Sequence, residues 1–116
     1  MATKTKAQTL TDPHLGKVTF RPLTPGQLRA VSKQVEDIDL DAEVARLDDT
    51  GGLSRGELRR EVEHVIVTRA ILRRAIADVS VRGRLGLDDD SSISEADGRA
   101  FHRIGAVVRR ASGEDV

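Results

Sequence analysis

Three histidines and one acidic run are the residues whose types suit metal binding or acid–base chemistry. The histidines stand at positions 14, 64 and 102, and none has a second histidine three or four residues away, the spacing of a zinc site on one helix. The run Asp88–Asp90 offers carboxylates to a hard cation, but the alternating ligands, central glycine and final glutamate of a calcium loop do not follow it. The sequence also contains no phosphate-loop or enzyme signature. We therefore predict a non-enzymatic protein without catalytic residues, metal ligands or a cofactor.

Arginines on the longest predicted helix are the residues suited to binding phosphates. They fall largely toward one side of the helix and are Arg55, Arg59, Arg69, Arg73 and Arg74. The chain nevertheless carries 19 basic and 19 acidic residues, whereas nucleic-acid binders usually have a basic excess. This balance favours a solvated helix face with pairs of opposite charge. A small nucleic-acid-binding regulator is therefore kept only as the last alternative.

The composition predicts one small domain with an aliphatic core. The chain has 116 residues, of which 38% are apolar and only two, Phe20 and Phe101, are aromatic. It has no cysteine, so disulfides and thiolate metal sites are excluded. No uncharged run approaches the roughly 20 apolar residues of a membrane span, and the first residues lack the apolar region of a secretory signal. We expect a cytoplasmic protein that does not enter a membrane.

The order of the predicted elements gives a mostly α fold, a bundle of three to four helices with one short N-terminal β-strand. Residues 1–15 are polar and predict a flexible tail, residues 16–111 predict a single mostly helical domain, and residues 112–116 predict a second flexible tail. The strand lies around Lys17–Arg21, where Val18 and Phe20 share one face. Its only candidate partner within the chain is a weak strand signal around Val79–Val81.

Local sequence signals mark where the helices begin. Thr24 and Gln27 form a capping box with Pro25 at the first helical position, and Ser54 with Glu57 forms a second box. Asp39 or Asp41 caps a short helix between these two. Ser94 caps the last helix, whose first turn is acidic and whose last turn is basic, as the helix dipole favours. Residues Arg82–Ser91, which include Leu85, Leu87 and the run Asp88–Asp90, predict an irregular connector before the last helix.

The long helix, predicted from Arg55 to about Asp78, is apolar nearly all round between residues 65 and 79. One stripe packs inward, and Val67, Ile71 and Ala75 form a second stripe. A helix that is apolar on several sides needs cover on several sides, and so small a bundle does not supply it. We therefore predict that Val18 and Phe20 take part in strand pairing, and that Val67, Ile71 and Ala75 contact a protein partner or another copy in a homo-oligomer.

The segment Val18–Leu28, VTFRPLTPGQL, resembles the opening of the small tail assembly chaperones of long-tailed bacteriophages. Those proteins pair a short strand of the type V-x-F-R-x-L with a helix start and a mostly helical body. The resemblance implies a chaperone that binds apolar segments of a tape-measure protein, delivers it to the growing tail tube and is absent from the finished particle. The acidic connector and the final helix have no counterpart in the pattern.

Three functional hypotheses follow from these observations. The first is a non-enzymatic phage assembly factor that holds apolar segments of a tape-measure protein. The second is a structural connector that remains in the phage particle as a head–tail or tail component. The third is the nucleic-acid-binding regulator.

Overall fold

A computed structural model of the chain describes residues 6–47, 51–88 and 93–113. Within these ranges the fold is mostly α, with five helices and one antiparallel sheet of two strands. The three to four helices expected from the sequence are therefore too few. The elements are β1 (Gln8–Asp12), β2 (Gly16–Phe20), α1 (Pro25–Glu36), α2 (Leu40–Ala45), α3 (Arg55–Ala75), α4 (Val79–Arg84) and α5 (Glu95–Ala111).

A β-hairpin includes part of the segment that was predicted to be a flexible N-terminal tail. β1 pairs with β2 in antiparallel register, with Leu10 opposite Val18 and Asp12 opposite Gly16. The turn is fixed by Asp12, whose Oδ2 accepts hydrogen bonds from the backbone N–H groups of His14 and Leu15 at 2.9 and 3.0 Å. Gly16 takes a positive φ of 79°, which glycine adopts without strain. The expectation for residues 1–15 is thus corrected over 8–12, while residues 1–5 lie outside the described ranges.

Helix starts follow the local sequence signals closely. Thr24 and Gln27 form the predicted capping box at the start of α1, with Pro25 in its first turn. Asp39 caps α2, while Ser54 and Ser94 cap α3 and α5 through their side-chain oxygens. These agreements arise because a cap needs only residues within one turn of each other.

The end of α3 departs from the prediction. The helix stops at Ala75, and Ile76 adopts an extended conformation instead of continuing to Asp78. Asp78 instead caps α4, so Val79–Val81 is the start of a helix and not a strand. Nη1 of Arg82 then donates to the carbonyl oxygens of Arg73 and Ile76, at 2.6 and 2.7 Å. This arginine satisfies carbonyls that the end of an α-helix leaves without a partner.

The main core lies between the hairpin, α1, α3 and α5. Leu85 and Leu87 add to it from the predicted connector and are 1% and 0% exposed. Ser112 is also buried, where its hydroxyl accepts from the N–H of Leu23 and donates to the carbonyl of Val108. The expected C-terminal tail is therefore corrected at Ser112, and residues 114–116 lie outside the described ranges.

Helices α3 and α5 approach closely at Gly105. A Cβ at this position would lie 2.4 Å from Cγ2 of Thr68, which is 1% exposed. Only glycine permits this contact without displacing one helix. The crossing sets how tightly α5 closes the core on the side of α3 that faces it.

Candidate functional site

Four of the five residues of the predicted site lie in the chain's own core, and two of these, Val18 and Phe20, pair with β1 of the same chain. Val18, Phe20, Ile71 and Ala75 are at most 4% exposed. Val67 is the exception, being half-buried against the core. This corrects the predicted site, because Ile71 and Ala75 of the second stripe belong to the buried core of the chain itself.

The enclosure of α3 is complete only in its C-terminal half. Within residues 65–79, the segment predicted to need outside cover, Val65, Ile66 and Val67 remain half-buried and Val79 is 82% exposed. The reason is geometrical. The N-terminal half of α3 is contacted by α2, a helix of only six residues.

A groove opens between α2 and α3 where this cover ends. It has a volume of about 380 Å³, and its floor is formed by Leu47, Val62, Val65 and Ile66. Leu47 is 41% exposed, and the other three are half-buried. Apolar grooves are among the surfaces at which peptide segments of other proteins bind.

The rim of the groove carries charge of both signs. Glu43 and Glu61 line it, and Arg69 lies one turn of α3 beyond Val65. Oε1 of Glu43 accepts from Arg46 at 3.3 Å, and Arg69 has partners within the chain. Glu61 is exposed. The groove therefore combines an apolar floor with few charges and is suited to an apolar segment of another chain.

A second depression of about 420 Å³ lies between α1 and α3. Val35, Ile38, Ile66 and Ala70 contribute its apolar walls, and Ile66 also lines the first groove. Val67, the half-buried member of the predicted site, lines a neighbouring cavity with Ile38. The apolar surface left by the fold therefore surrounds the middle of α3, and of the predicted stripe it includes Val67 but neither Ile71 nor Ala75.

An ion pair attaches the hairpin to α5. Asp12 is 3% exposed, and its two carboxylate oxygens accept from Nε and Nη2 of Arg103 at 2.8 and 3.1 Å. The hydrogen bond from Arg103 lowers the pKa of Asp12 from 3.8 to about 2, and the two backbone donors in the turn act in the same direction. The carboxylate therefore stays ionised and holds the turn on the helix.

A second polar contact joins the same turn to α4 and α5. Nε2 of His14 lies 2.7 Å from Oδ1 of Asp97, and Nη2 of Arg84 lies 3.2 Å from the same oxygen. The hydrogen bond from His14 lowers the pKa of Asp97, and Ser94 and Arg84 lower it further. These groups attach the hairpin turn to α4 and α5.

The other two histidines lie together on the opposite side of α5. The rings of His64 and His102 stack with centroids 6.0 Å apart, and Nη1 of Arg109 lies 3.1 Å from Nδ1 of His64. His14 belongs to the hairpin turn and is not part of this pair. Over the described ranges, no group of three or more histidines, aspartates and glutamates is arranged to hold a metal ion.

Of the arginines singled out on α3, three make contacts within the chain: Arg59, Arg69 and Arg73. Arg59 lies 3.7 Å from Asp41 of α2, and Nε of Arg73 donates to the carbonyl of Leu87. Arg82, outside the predicted set, forms an ion pair with Asp88. That bond from Arg82 lowers the pKa of Asp88, the one residue of the acidic run within the described ranges. Asp88 thus serves a structural contact.

Sequence reasoning missed the groove because two residues of its floor were placed in the first apolar stripe of α3, while partner contact was assigned to the second. Val62 and Val65 belong to the stripe predicted to pack inward. The available signal was that α2 is short and has few large apolar residues. These are Leu40 and Val44, with Leu47 just after the end of the helix. Such a helix cannot cover a neighbour of 21 residues.

Comparison with other proteins adds no relative. Within residues 6–47, 51–88 and 93–113, no helix combines the length and apolar composition that crossing a bilayer requires. The chain matches no protein-family model, no curated protein and no solved structure.

Proposed function

We propose that this protein is a non-enzymatic assembly factor that holds an apolar segment of a partner protein in the groove between α2 and α3. The observation that carries the proposal is the apolar floor of Leu47, Val62, Val65 and Ile66, which the chain leaves partly exposed. Covering such a surface contributes about 25 cal/mol per Å² of apolar area removed from water. A partner segment that fills the groove therefore gains affinity mainly from burial.

The resemblance of Val18–Leu28 supports a more specific form of the proposal. This segment forms the end of β2 and the capped start of α1, the strand and helix start that the resemblance implies. On that basis we propose a tail assembly chaperone of a long-tailed phage, with apolar segments of a tape-measure protein as its partner. The groove offers a place for such segments that does not require the core to open.

The test compares two variants in which a valine is replaced by aspartate, one inside the groove and one outside it. Val65→Asp places a carboxylate on the floor of the groove, where Val65 is half-buried. Val79→Asp is the control, since Val79 is 82% exposed on α4 and the change is equal in chemistry. Binding is measured by co-expression with tape-measure fragments of the same phage and by pull-down, and folding is followed by circular dichroism.

We expect Val65→Asp to reduce capture of tape-measure fragments at least tenfold, because a buried carboxylate without a partner costs more than 1.4 kcal/mol. Val79→Asp should capture as well as the unchanged protein. Equal capture by both variants would show that the partner segment does not bind in the groove. Ile71→Asp is unsuitable here, because Ile71 is 0% exposed and the change would destabilise the core itself.

Analysis of purified phage particles separates the chaperone from the structural connector. A chaperone is absent from the particle, whereas a connector is present in stoichiometric amount. Mass spectrometry of particles from cells that express the protein decides between these two. If the protein is present in the particle in a fixed ratio to other tail proteins, the chaperone hypothesis is wrong and the structural connector takes its place.

A further inference from the structure

The two edges of the hairpin differ in how their backbone groups are used. In an antiparallel pair, successive residues alternate between facing the partner strand and facing away from it. The N–H of Arg21, just after β2, faces away and donates to the carbonyl of Ala75 at 2.9 Å. Counting back by two residues, Thr19 also faces away, and so does Thr9, its partner on β1. The 3.3 Å contact between the Thr9 and Thr19 hydroxyls agrees with a pair of this type.

The same alternation makes Thr9 and Thr11 the outward-facing residues of β1. Both are exposed, and no backbone group within the described ranges bonds to their outward N–H and C=O groups. The edge of β2 is closed at its end by Ala75, whereas no described residue pairs with the edge of β1. An open strand edge is a template for another strand.

Apart from Asp12 at its end, whose carboxylate is bound by Arg103, β1 lacks the devices that usually protect such an edge. Residues 7–11 are Ala, Gln, Thr, Leu and Thr, without charge or proline, whereas β2 carries Lys17. Charged side chains and proline are the common means of preventing pairing between edges. Threonine in addition favours an extended backbone.

We propose that β1 pairs antiparallel with β1 of a second copy of this chain, giving a two-fold symmetric sheet of four strands. With the axis at Leu10, Thr9 of each copy faces Thr11 of the other, and the outward groups form a complete set of backbone hydrogen bonds. Gln8 then lies opposite Asp12, so no like charges meet across the axis. Leu10, half-buried on the core face, is covered by its own counterpart.

This register fits the charges of the hairpin as well as its backbone. The carboxylate of Asp12 is already held by Arg103 and brings no unpaired charge to the new edge. Because a strand of five residues buries less area than the roughly 1,200 Å² of a stable interface, we expect a weak, concentration-dependent dimer. The proposal does not depend on the groove, which lies on other elements.

Matched proline variants test the open edge. Thr9→Pro and Thr19→Pro each remove one outward N–H and the same contact between hydroxyls, but on opposite edges of the hairpin. In a two-fold dimer Thr9→Pro removes two hydrogen bonds, so we expect it to weaken dimerisation by about tenfold or more, whereas Thr19→Pro should leave it within about twofold. Sedimentation velocity over a concentration series measures both. Equal association of the two variants, or a protein that stays monomeric at every concentration, overturns the proposal.

A cysteine at the axis gives a second test that does not rely on proline. The chain has no cysteine, so Leu10→Cys introduces a single thiol that would lie opposite its own copy. Val79→Cys is the control, because its greater exposure of 82% favours random collision. We expect Leu10→Cys to form disulfide-linked dimers several-fold faster under mild oxidation. A rate no higher than that of Val79→Cys refutes the paired edge even if a proline variant fails to fold.

Discussion

Replacing Gly105 with alanine tests the crossing of α3 and α5. The new Cβ would lie 2.4 Å from Cγ2 of Thr68, about 1 Å closer than ordinary van der Waals contact. Thr68 is 1% exposed on a long helix, so neither group has room to move away. Overpacking of this kind costs about 1–3 kcal/mol, while alanine returns up to about 1 kcal/mol of helix propensity. The net expectation is a loss of about 1–2 kcal/mol in the free energy of unfolding.

Gly98 provides a control on the same helix. A Cβ at position 98 meets no atom within 4 Å, so Gly98→Ala should gain stability by about 0.5–1 kcal/mol. The same substitution thus has opposite signs at two positions of α5. Urea unfolding followed by circular dichroism measures both changes in free energy at one temperature.

Thr68→Ser supplies the rescue. It removes Cγ2 and keeps the hydroxyl that lies 3.1 Å from Nη1 of Arg109. Alone it leaves a small cavity and costs about 1 kcal/mol. In the double variant with Gly105→Ala, the new methyl group occupies the space that Cγ2 of Thr68 leaves. The free energy of unfolding of the double variant should therefore exceed the value expected from adding the two single effects by about 1–2 kcal/mol. Additive effects, or a Gly105→Ala variant as stable as Gly98→Ala, would refute the close crossing.

Two further predictions concern charged side chains that bind other parts of the chain, Asp12 and Arg82. The pKa of Asp12 falls from 3.8 to about 2, chiefly through the hydrogen bond from Arg103, so its contribution to stability is complete above pH 4 and is lost as the pH falls toward 2. Asp12→Asn should therefore lower the free energy of unfolding by about 2 kcal/mol near neutral pH. Urea unfolding should show the difference in free energy between this variant and the unchanged protein shrinking as the pH falls toward 2. A difference that stays constant over this range would contradict the lowered pKa of Asp12. Arg82→Ala removes two bonds to the last carbonyls of α3 and should cost about 1–2 kcal/mol, whereas exposed Arg74→Ala should cost almost nothing in thermal unfolding. Equal melting temperatures for the two arginine variants would show that the helix end needs no such cap.

The sequence was sufficient to predict those parts of the fold that depend on neighbouring residues. The starts of α1, α3 and α5 were predicted correctly because a cap such as Thr24 or Ser94 acts within one helical turn. The end of α3 could not be located in this way. Its apolar periodicity includes Ile76, and the contact from Arg82 that closes the helix comes from a separate element.

The hairpin shows a different kind of error. The turn from Asp12 through Pro13 to Gly16 contains an aspartate, a proline and a glycine, which together indicate a hairpin. The partner strand itself is mostly polar, with Leu10 as its one large apolar residue, so alternation alone gave no signal. The strand was sought instead at Val79–Val81, where β-branched residues outweighed the cap supplied by Asp78. A turn signal here carries more information than strand propensity.

The predicted site was displaced because the available cover was underestimated. Leu85 and Leu87 were placed in a connector, yet both are almost fully buried and close the core beside the C-terminal half of α3. With that half enclosed, Ile71 and Ala75 were no longer available to a partner. Periodicity identified the helix that carries surplus apolar surface, but the half that keeps it depends on which elements fold over it.

The two proposed interfaces lie on different elements, β1 for the strand pairing and α2 with α3 for the groove, and this separation makes them independently testable. The hairpin is tied to the end of α3 by the bond from Arg21 to Ala75, while the groove is centred near Val65. Ten residues of helix separate these positions, about 15 Å along its axis. Pairing through β1 should therefore leave the groove accessible, and two copies would present two grooves. We expect Val65→Asp to leave disulfide formation by Leu10→Cys unchanged, and Thr9→Pro to leave capture by a single copy unchanged. Loss of both properties in either variant would mean that the surfaces are coupled or that the variant has disturbed the fold they share.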